Sequence, residues 1–262
     1  LSKHHLEDKV YQINFEGAKI ARELAKDKVW VAGAVGPLGI KIEPLGKTSI
    51  EEAKDAFKEH IQGLIDGGVD IIIFETFIYP EELIIAVQSA KEICALPIIA
   101  QMTIDEDCTS LTGALPEDII NMLNQTSADA IGVNSTVGPQ VMLRWLEQVR
   151  PLTDKAISIM PSAGKPRNID GRNIYLTSPE YMGLYAKYFV QAGASIIGGC
   201  LGTGPEHIRK MRVMINAVKK EEKKYEFEKL KISHPESVKL IEQKNKSRLA
   251  RRIKEGHFVK FV

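Results

Sequence analysis

The sequence contains 262 residues, of which 44% are apolar and 26% charged, and its formal net charge is +1. This is the composition of an ordinary globular protein, and the length suits one large domain or two small ones. A charge this close to zero gives no electrostatic basis for a nucleic acid or an anionic membrane as partner, and no apolar run approaches the roughly 20 residues of a membrane-spanning helix. Three cysteines without a pairing pattern and a polar first stretch lead us to expect a cytoplasmic protein.

The first stretch of the chain predicts a helix. Apolar residues recur there at roughly helical spacing, at Val10, Ile13, Ala18, Ala21 and Leu24. No strand-like run precedes them. We therefore expect this helix to be the end of a βα unit whose strand is absent from the sequence.

Six short apolar runs, rich in isoleucine and valine, alternate with helices through the rest of the chain. They predict buried parallel strands, because strands covered on both faces are apolar throughout. The runs span residues 29–35, 70–75, 97–103, 129–134, 156–161 and 195–199. Ser49 and Glu52 have the spacing of a capping box at the start of a helix. Prolines occupy first-turn positions of three more helices, at Pro80, Pro116 and Pro179.

Three of the strand entries resemble one another: GGVDIII, TSADAIG and AGASIIG. A βα unit that repeats predicts an α/β fold, either a (βα)8 barrel of the TIM type or a doubly wound sheet. Six units are visible, whereas a closed barrel needs eight. We therefore expect an incomplete TIM-type barrel in which the first one to two βα units are missing.

The functional groups of a parallel barrel lie at its mouth, where the carboxyl ends of the strands meet. The residues at these positions are Gly36, Glu75, Thr76, Thr103, Asn134, Ser135, Ser162 and Cys200. Among them, Glu75 directly follows the run IIIF, so its carboxylate is expected to be half buried and to need a cation or hydrogen-bond donors. We predict a functional role for Glu75 rather than a structural ion pair.

The cysteines and histidines differ in the chemistry that they favour. Three glycines flank Cys200, and they let a ligand or a metal approach the backbone closely. Cys94 falls within a predicted helix, where a buried thiol acts as a small apolar side chain, and Cys108 lies in a loop nearer the mouth. His207 follows the glycine turn and is expected to cap a helix or lie on the surface. No lysine ends a strand, which argues against a Schiff-base aldolase.

The sequence resembles the homocysteine S-methyltransferase family, which includes the homocysteine-binding modules of methionine synthases and betaine–homocysteine methyltransferases. The resemblance extends to about Val218 and is carried by VAGAVGPLG, FETF, IGVNSTVGP, MPSAGKPR, TSPEYM and GGCLGTGPEHI. It implies transfer of a methyl group to the thiol of homocysteine, giving methionine. It further implies that Glu75 and Asn134 bind the substrate, and it assigns no catalytic side chain. The methyl donor stays open between a methylated folate with a corrinoid module, betaine and a sulfonium compound.

The resemblance also implies a zinc cofactor. The family binds Zn²⁺ through three cysteine thiolates and leaves the fourth position to the substrate sulfur. The matching positions here are Ser135, Cys200 and Leu201. A serine hydroxyl is a poor zinc ligand and leucine is none, so we expect a degraded site in which only Cys200 binds metal. Cys108 is the residue best placed to replace a lost ligand.

The resemblance divides the chain into a barrel at 1–218, a charged linker at 219–246 and a stretch at 247–262 that is similar to the start of a methylenetetrahydrofolate reductase domain. Two other functions stay open. One is a non-catalytic scaffold or binding module, which the two lost ligands favour. The other is a barrel enzyme for a phosphorylated substrate, which the glycine amides and helix start of GGCLGTGPE favour.

Overall fold

A computed structural model describes residues 1, 4–165, 167–169 and 172–218. The strands in this part of the chain are β1 (Ala32–Val35), β2 (Ile71–Phe77), β3 (Ile98–Met102), β4 (Ala130–Asn134), β5 (Ala156–Met160), β6 (Arg167–Ile169), β7 (Arg172–Ile174) and β8 (Ile196–Ile197). The first five strands and β8 form one parallel sheet in sequence order. The six predicted strands are thus confirmed. The predicted linker and the reductase-like stretch lie outside the described residues.

Helices alternate with the strands of the sheet along the chain. They are α1 (Val10–Ala25), α2 (Ile50–Asp66), α3 (Pro80–Ile93), α4 (Pro116–Gln125), α5 (Pro139–Val149), α6 (Pro179–Gln191) and α7 (Pro205–Ala217). The predicted capping box is present at α2, where the Glu52 N–H donates to Ser49 Oγ at 3.2 Å and the Ser49 N–H donates to Glu52 Oε2 at 2.8 Å. Proline also begins α3, α4 and α6, as predicted.

The helix predicted at the start of the chain is confirmed as α1, but its apolar positions do not all face the core. Ala18 is buried, whereas Leu24 is 81% exposed. The hairpin of β6 and β7, which lies between β5 and α6, was not predicted. Within the described residues, no helix is both long and apolar enough to span a membrane.

Both faces of the parallel sheet carry apolar side chains, because the strands are apolar throughout and alternate residues of a strand point to opposite sides. On the outer face, Phe77 packs against Phe57 of α2 and Phe74 of β2, with ring centroids 6.2 and 6.0 Å apart. On the inner face, Ile73 and Ile99 form a separate cluster with residues of β4, β5 and β8. The sheet therefore forms part of the wall of a barrel, with helices on its outer side.

Two of the three repeated strand entries have the same arrangement of hydrogen bonds, in which an aspartate at the start of one strand pairs with the backbone of the neighbouring strand. We call this arrangement an aspartate corner. The Asp70 N–H donates to the Val31 carbonyl at 2.8 Å, and the Val31 N–H donates back to Asp70 Oδ2 at 2.7 Å. Asp129 makes the same reciprocal pair with Ile98, at 2.9 and 2.8 Å. A basic side chain reaches each carboxylate as well. These corners fix the relative position of neighbouring strands at their amino ends.

In the described part of the chain, six parallel strands form the sheet, where a closed TIM barrel has eight. The expected α/β fold of an incomplete TIM-type barrel is confirmed by this topology. Because the strands are parallel, their carboxyl ends lie at one end of the sheet. The polar residues expected at the mouth are brought together there.

Candidate functional site at the mouth of the barrel

The side chain of Asn134, at the end of β4, contacts Thr76 and Cys200. Asn134 is fully buried. Its Nδ2 donates to Thr76 Oγ1 at 2.8 Å and lies 3.8 Å from Cys200 Sγ, as a donor to the thiol. Its Oδ1 accepts the N–H of Thr76 at 2.7 Å. The amide therefore joins the end of β2, which carries Glu75, to the turn that follows β8.

A β-bulge presents Glu75 at the mouth. Phe74 pairs with Ala100, but Phe77 pairs with Met102, so β2 has one residue more than β3 between these two pairs. Both phenylalanines point into the outer core, and the extra residue lies between them. Bulges of this kind re-aim side chains near functional sites. The sequence gives no local signal for the bulge, and Thr76 was not singled out as a functional residue.

The carboxylate of Glu75 is half buried and, among the described residues, it has no ion pair or hydrogen-bond partner. Burial raises the pKa of Glu75 above its usual value, since the charged form loses water. A desolvated carboxylate of this kind is stabilised by a cation with N–H donors. The predicted half-burial of Glu75 is confirmed.

The turn after β4 has an unusual backbone. Ser135 and Thr136 have φ angles of +64° and +52°, in the left-handed region that few non-glycine residues adopt. The Ser135 N–H donates to the Met160 carbonyl at 3.1 Å, and Thr136 shares a hydroxyl–hydroxyl hydrogen bond of 3.0 Å with Thr103. Ser135 is 3% exposed. Thr103, predicted at a strand end, thus supports this turn.

The turn after β8 holds Cys200 beside the end of β5. The Cys200 N–H donates to the Pro161 carbonyl at 2.8 Å, and the Leu201 carbonyl accepts the Ala163 N–H at 2.8 Å. The side chain of Leu201 is 49% exposed. Gly202 has a φ of +75°, which completes the reversal of the chain.

Two buried hydroxyls flank this turn. Ser162 Oγ and Thr203 Oγ1 are buried and have no hydrogen-bond partner among the described residues. A buried hydroxyl without a partner costs free energy, and such groups mark places where a ligand or an ordered water binds. Ser162 was predicted as a strand-end residue. Thr203 was not, because a threonine in a glycine-rich turn has no distinctive sequence signal.

The donor atoms at the mouth do not fit the three-thiolate zinc site. Within the described residues, no group of three or more histidine, cysteine, aspartate or glutamate side chains can hold a metal ion. Leu201 has no donor atom, and Ser135 offers a hydroxyl. Cys108, expected as a replacement ligand, is buried and its Sγ lies 3.6 Å from the Val141 carbonyl. Burial raises the pKa of the Cys108 thiol, which disfavours the thiolate that a metal needs.

His207 is a capping residue, as predicted. Its Nδ1 accepts the Gly204 N–H at 3.1 Å at the start of α7, and its Nε2 lies 2.9 Å from the Thr177 carbonyl. Because Nδ1 is the acceptor, Nε2 is the ring nitrogen that donates to the Thr177 carbonyl. The Gly204 N–H, which a phosphate at this helix start would bind, therefore already has a hydrogen-bond acceptor. Glu206 adds a negative charge in the same turn.

A comparison with protein families identifies the chain. The family model described as homocysteine S-methyltransferase matches residues 1–215. This chain belongs to the homocysteine S-methyltransferase family. Within the family it is similar to the methionine synthase of Mycobacterium tuberculosis, with 29% identity over 240 residues that cover 87% of this chain and 20% of the relative. The methionine synthase of Mycobacterium leprae is 29% identical over 227 residues, which cover 82% of this chain and 19% of the relative.

The chain thus spans about a fifth of the length of these two relatives. Its fold is similar to that of the homocysteine methyltransferase MmuM from Escherichia coli. The apo form of MmuM superposes with a TM-score of 0.63 at 19% identity, covering 79% of this chain and 74% of MmuM. A metallated form of MmuM gives the same TM-score of 0.63. The similarity confirms the barrel fold of this family member.

Proposed function

We propose that this chain binds homocysteine at the mouth and transfers a methyl group to its thiol, giving methionine. A bond forms between the thiol sulfur and the methyl carbon while the bond between the methyl group and its donor breaks, and the thiol proton is released. The observation that carries the proposal is the Glu75 carboxylate, which is half buried and has no partner among the described residues. Membership of the family supplies the substrate class.

Glu75 recognises the ammonium group of homocysteine. An ammonium has three N–H donors and a charge opposite to that of the carboxylate, so it offsets the desolvation that burial imposes on Glu75. Asn134 borders the same space, and its amide holds the β2 bulge next to Glu75. The amino-acid end of the substrate thus lies between β2 and β4, with its thiol free to extend toward Cys200.

The proposed site is a degraded form of the family's zinc site. Cys200 is the one thiol among the three ligand positions, and Ser135 and Leu201 occupy the others. Zinc in catalytic sites usually has three protein ligands, so this mouth is not expected to retain the metal at full occupancy. The chain's own residues therefore account for substrate binding, and no step of the proposed reaction depends on a metal.

A second candidate function is a binding module without catalysis. The observation that favours it is the position of Leu201, whose apolar side chain is 49% exposed where the family has a thiolate. Such a module binds homocysteine through Glu75 but does not methylate it. The phosphate-binding alternative has less support, since the Gly204 N–H already donates a hydrogen bond to His207 Nδ1.

The test is to purify the chain in the presence of zinc and to measure bound metal, homocysteine binding and methionine formation together. Methylated folate with a corrinoid, betaine and a sulfonium compound serve as donors in separate assays. The proposal predicts homocysteine binding, substoichiometric zinc and methionine formation with one donor. Binding without methionine would support the second candidate. Absence of binding would contradict both, and stoichiometric zinc would show that the metal site is not degraded.

A further inference from the structure

We propose that Thr76 is a positioning residue of the substrate site, which acts through Asn134 on both Glu75 and Cys200. The inference rests on the proposed function, in which Glu75 binds the amino group of homocysteine. Thr76 follows Glu75 in the β2 bulge and contacts Asn134, whose side chain also reaches Cys200. No feature of the sequence alone marks it for this role.

The backbone of Thr76 needs outside support. Its φ angle is +65°, a conformation that is unfavourable for a β-branched residue. This conformation allows Glu75 to face the mouth while Phe77 returns to the outer core. The orientation of Glu75 therefore depends on whatever holds Thr76 in place.

Asn134 provides this support with a two-point contact. Its Oδ1 accepts the Thr76 N–H at 2.7 Å and its Nδ2 donates to Thr76 Oγ1 at 2.8 Å. The second N–H of Nδ2 is directed to Cys200 Sγ, 3.8 Å away. Both amide hydrogens are thus engaged, and the Thr76 hydroxyl fixes the rotation of the amide. Loss of this hydroxyl frees the Asn134 side chain, and the effect reaches Glu75 on one side and Cys200 on the other.

The experiment compares four variants of the full chain. T76V removes the hydroxyl and keeps the shape, T76S keeps the hydroxyl, and T76G removes the hydroxyl but accepts a positive φ without strain. The matched control is T126V, which also removes a threonine hydroxyl: that of Thr126 is buried and donates to the Leu123 carbonyl at the end of α4. The thermal unfolding midpoint of each variant shows how far the fold is affected.

Two readouts separate positioning from general stability. The first is the Kd of homocysteine by calorimetry. The second needs no substrate: it is the rate at which iodoacetamide alkylates Cys200, measured by mass spectrometry against Cys94 in the same chain. We expect T76V and T76G to weaken binding about 5- to 30-fold, the effect of one lost, partly buried hydrogen bond, and to change the alkylation ratio about threefold or more. T76S should restore both to within about twofold of the wild type, and T126V should leave both unchanged.

The outcomes are distinguishable from a failure of the proposed function. If the wild-type chain does not bind homocysteine, the proposed function is wrong, and the alkylation ratio alone decides whether Thr76 positions Cys200. T76G keeps the test valid if T76V does not fold. Wild-type values for T76G in either readout, or equal effects of T126V, would overturn the positioning role.

Discussion

At the scale of single residues, the proposed recognition of homocysteine depends on the environment of Glu75. The carboxylate loses water on folding and, among the described residues, gains no ion pair or hydrogen bond in return, so its pKa is raised. The ammonium group of a ligand would offset the hydration that the carboxylate loses. The raised pKa also means that the free protein holds a proton on Glu75 at a higher pH than an exposed glutamate does.

Replacing Glu75 with glutamine is expected to weaken homocysteine binding by about 10- to 100-fold, the range for a hydrogen bond to a charged group. The unfolding midpoint should stay the same or rise, since an amide avoids the buried charge. Calorimetry and thermal melting measure the two effects. The exposed Glu147 of α5 offers a matched control, and E147Q should bind as the wild type does. A folded E75Q with unchanged affinity would contradict the role of Glu75.

The pH dependence of binding follows from the same residue. In the proposed site the ammonium of homocysteine pairs with the ionised carboxylate, so affinity should increase as the pH rises through the pKa of Glu75, above the usual range for glutamate. Over the same interval, the stability of the wild type relative to E75Q should fall, because a raised pKa in the folded state favours the protonated form. Calorimetry from pH 4.5 to 8 checks the first effect, and E75Q should show no such step.

The zinc site can be tested by restoring its ligands. The double variant S135C/L201C places thiols at both lost positions next to Cys200, and we expect it to bind about one zinc per chain, against much less in the wild type. Elemental analysis after dialysis measures the metal. L201C alone, with two of the three thiols, should retain less zinc than the double variant. Equal zinc in the wild type and the double variant would show that Ser135 and Leu201 do not limit metal binding.

At the scale of elements, the aspartates at the strand entries hold neighbouring strands together. The Val31 N–H and then Arg22 lower the pKa of Asp70. Burial on its own would raise the pKa of Asp129, but the Ile98 N–H and Lys91 together lower it. Both carboxylates are therefore more stable in ionised form when the protein is folded.

This arrangement predicts a loss of stability in acid. A lowered pKa in the folded state contributes stability above the ordinary pKa of aspartate, and this contribution disappears as the pH falls through the folded value. The unfolding midpoint of D70N/D129N should therefore decline less steeply below about pH 5 than that of the wild type. Thermal melts from pH 7 to pH 3 measure the slope, and the exposed Asp154 provides the control variant D154N. Identical slopes for the double variant and the wild type would refute this role of the two carboxylates.

Local patterns in the sequence predicted the elements well. Apolar runs marked all six strands of the sheet, and Ser49 with Glu52 marked the start of α2, because these signals depend on neighbours in the chain. Cys94 was expected inside a helix, but it lies just after α3, as the C-cap residue that follows Ile93. The β6–β7 hairpin was missed, as its two strands are three residues each.

The candidate site was predictable only in part. The ends of the strands gave Glu75, Asn134 and Cys200, since parallel strands bring their carboxyl ends together. The role of Thr76 was not predictable, because it depends on an amide 58 positions further along the chain. The burial of Cys108 likewise depends on a contact with Val141, 33 positions away. Contacts of this range are set by tertiary packing rather than by local sequence.

At the scale of the whole molecule, the two ends of the parallel sheet have different tasks. The amino ends carry the aspartate corners that support the fold, and the carboxyl ends carry Glu75, Asn134 and Cys200. This division is usual for TIM-type barrels, in which loops at the carboxyl ends vary with function while the opposite end provides stability. On our proposal of a degraded zinc site, this division explains how two zinc ligands at the mouth can change while the barrel of the family is retained.

The central claim is that the mouth recognises homocysteine through Glu75 without the family's zinc site. The most direct measurement is calorimetric titration of the full chain with homocysteine, once after treatment with a chelator and once with an equivalent of Zn²⁺. We predict saturable binding with the same Kd in both titrations, to within about twofold, since the contacts that we assign involve no metal. Binding that occurs only in the presence of Zn²⁺, or no binding in either titration, would contradict the claim.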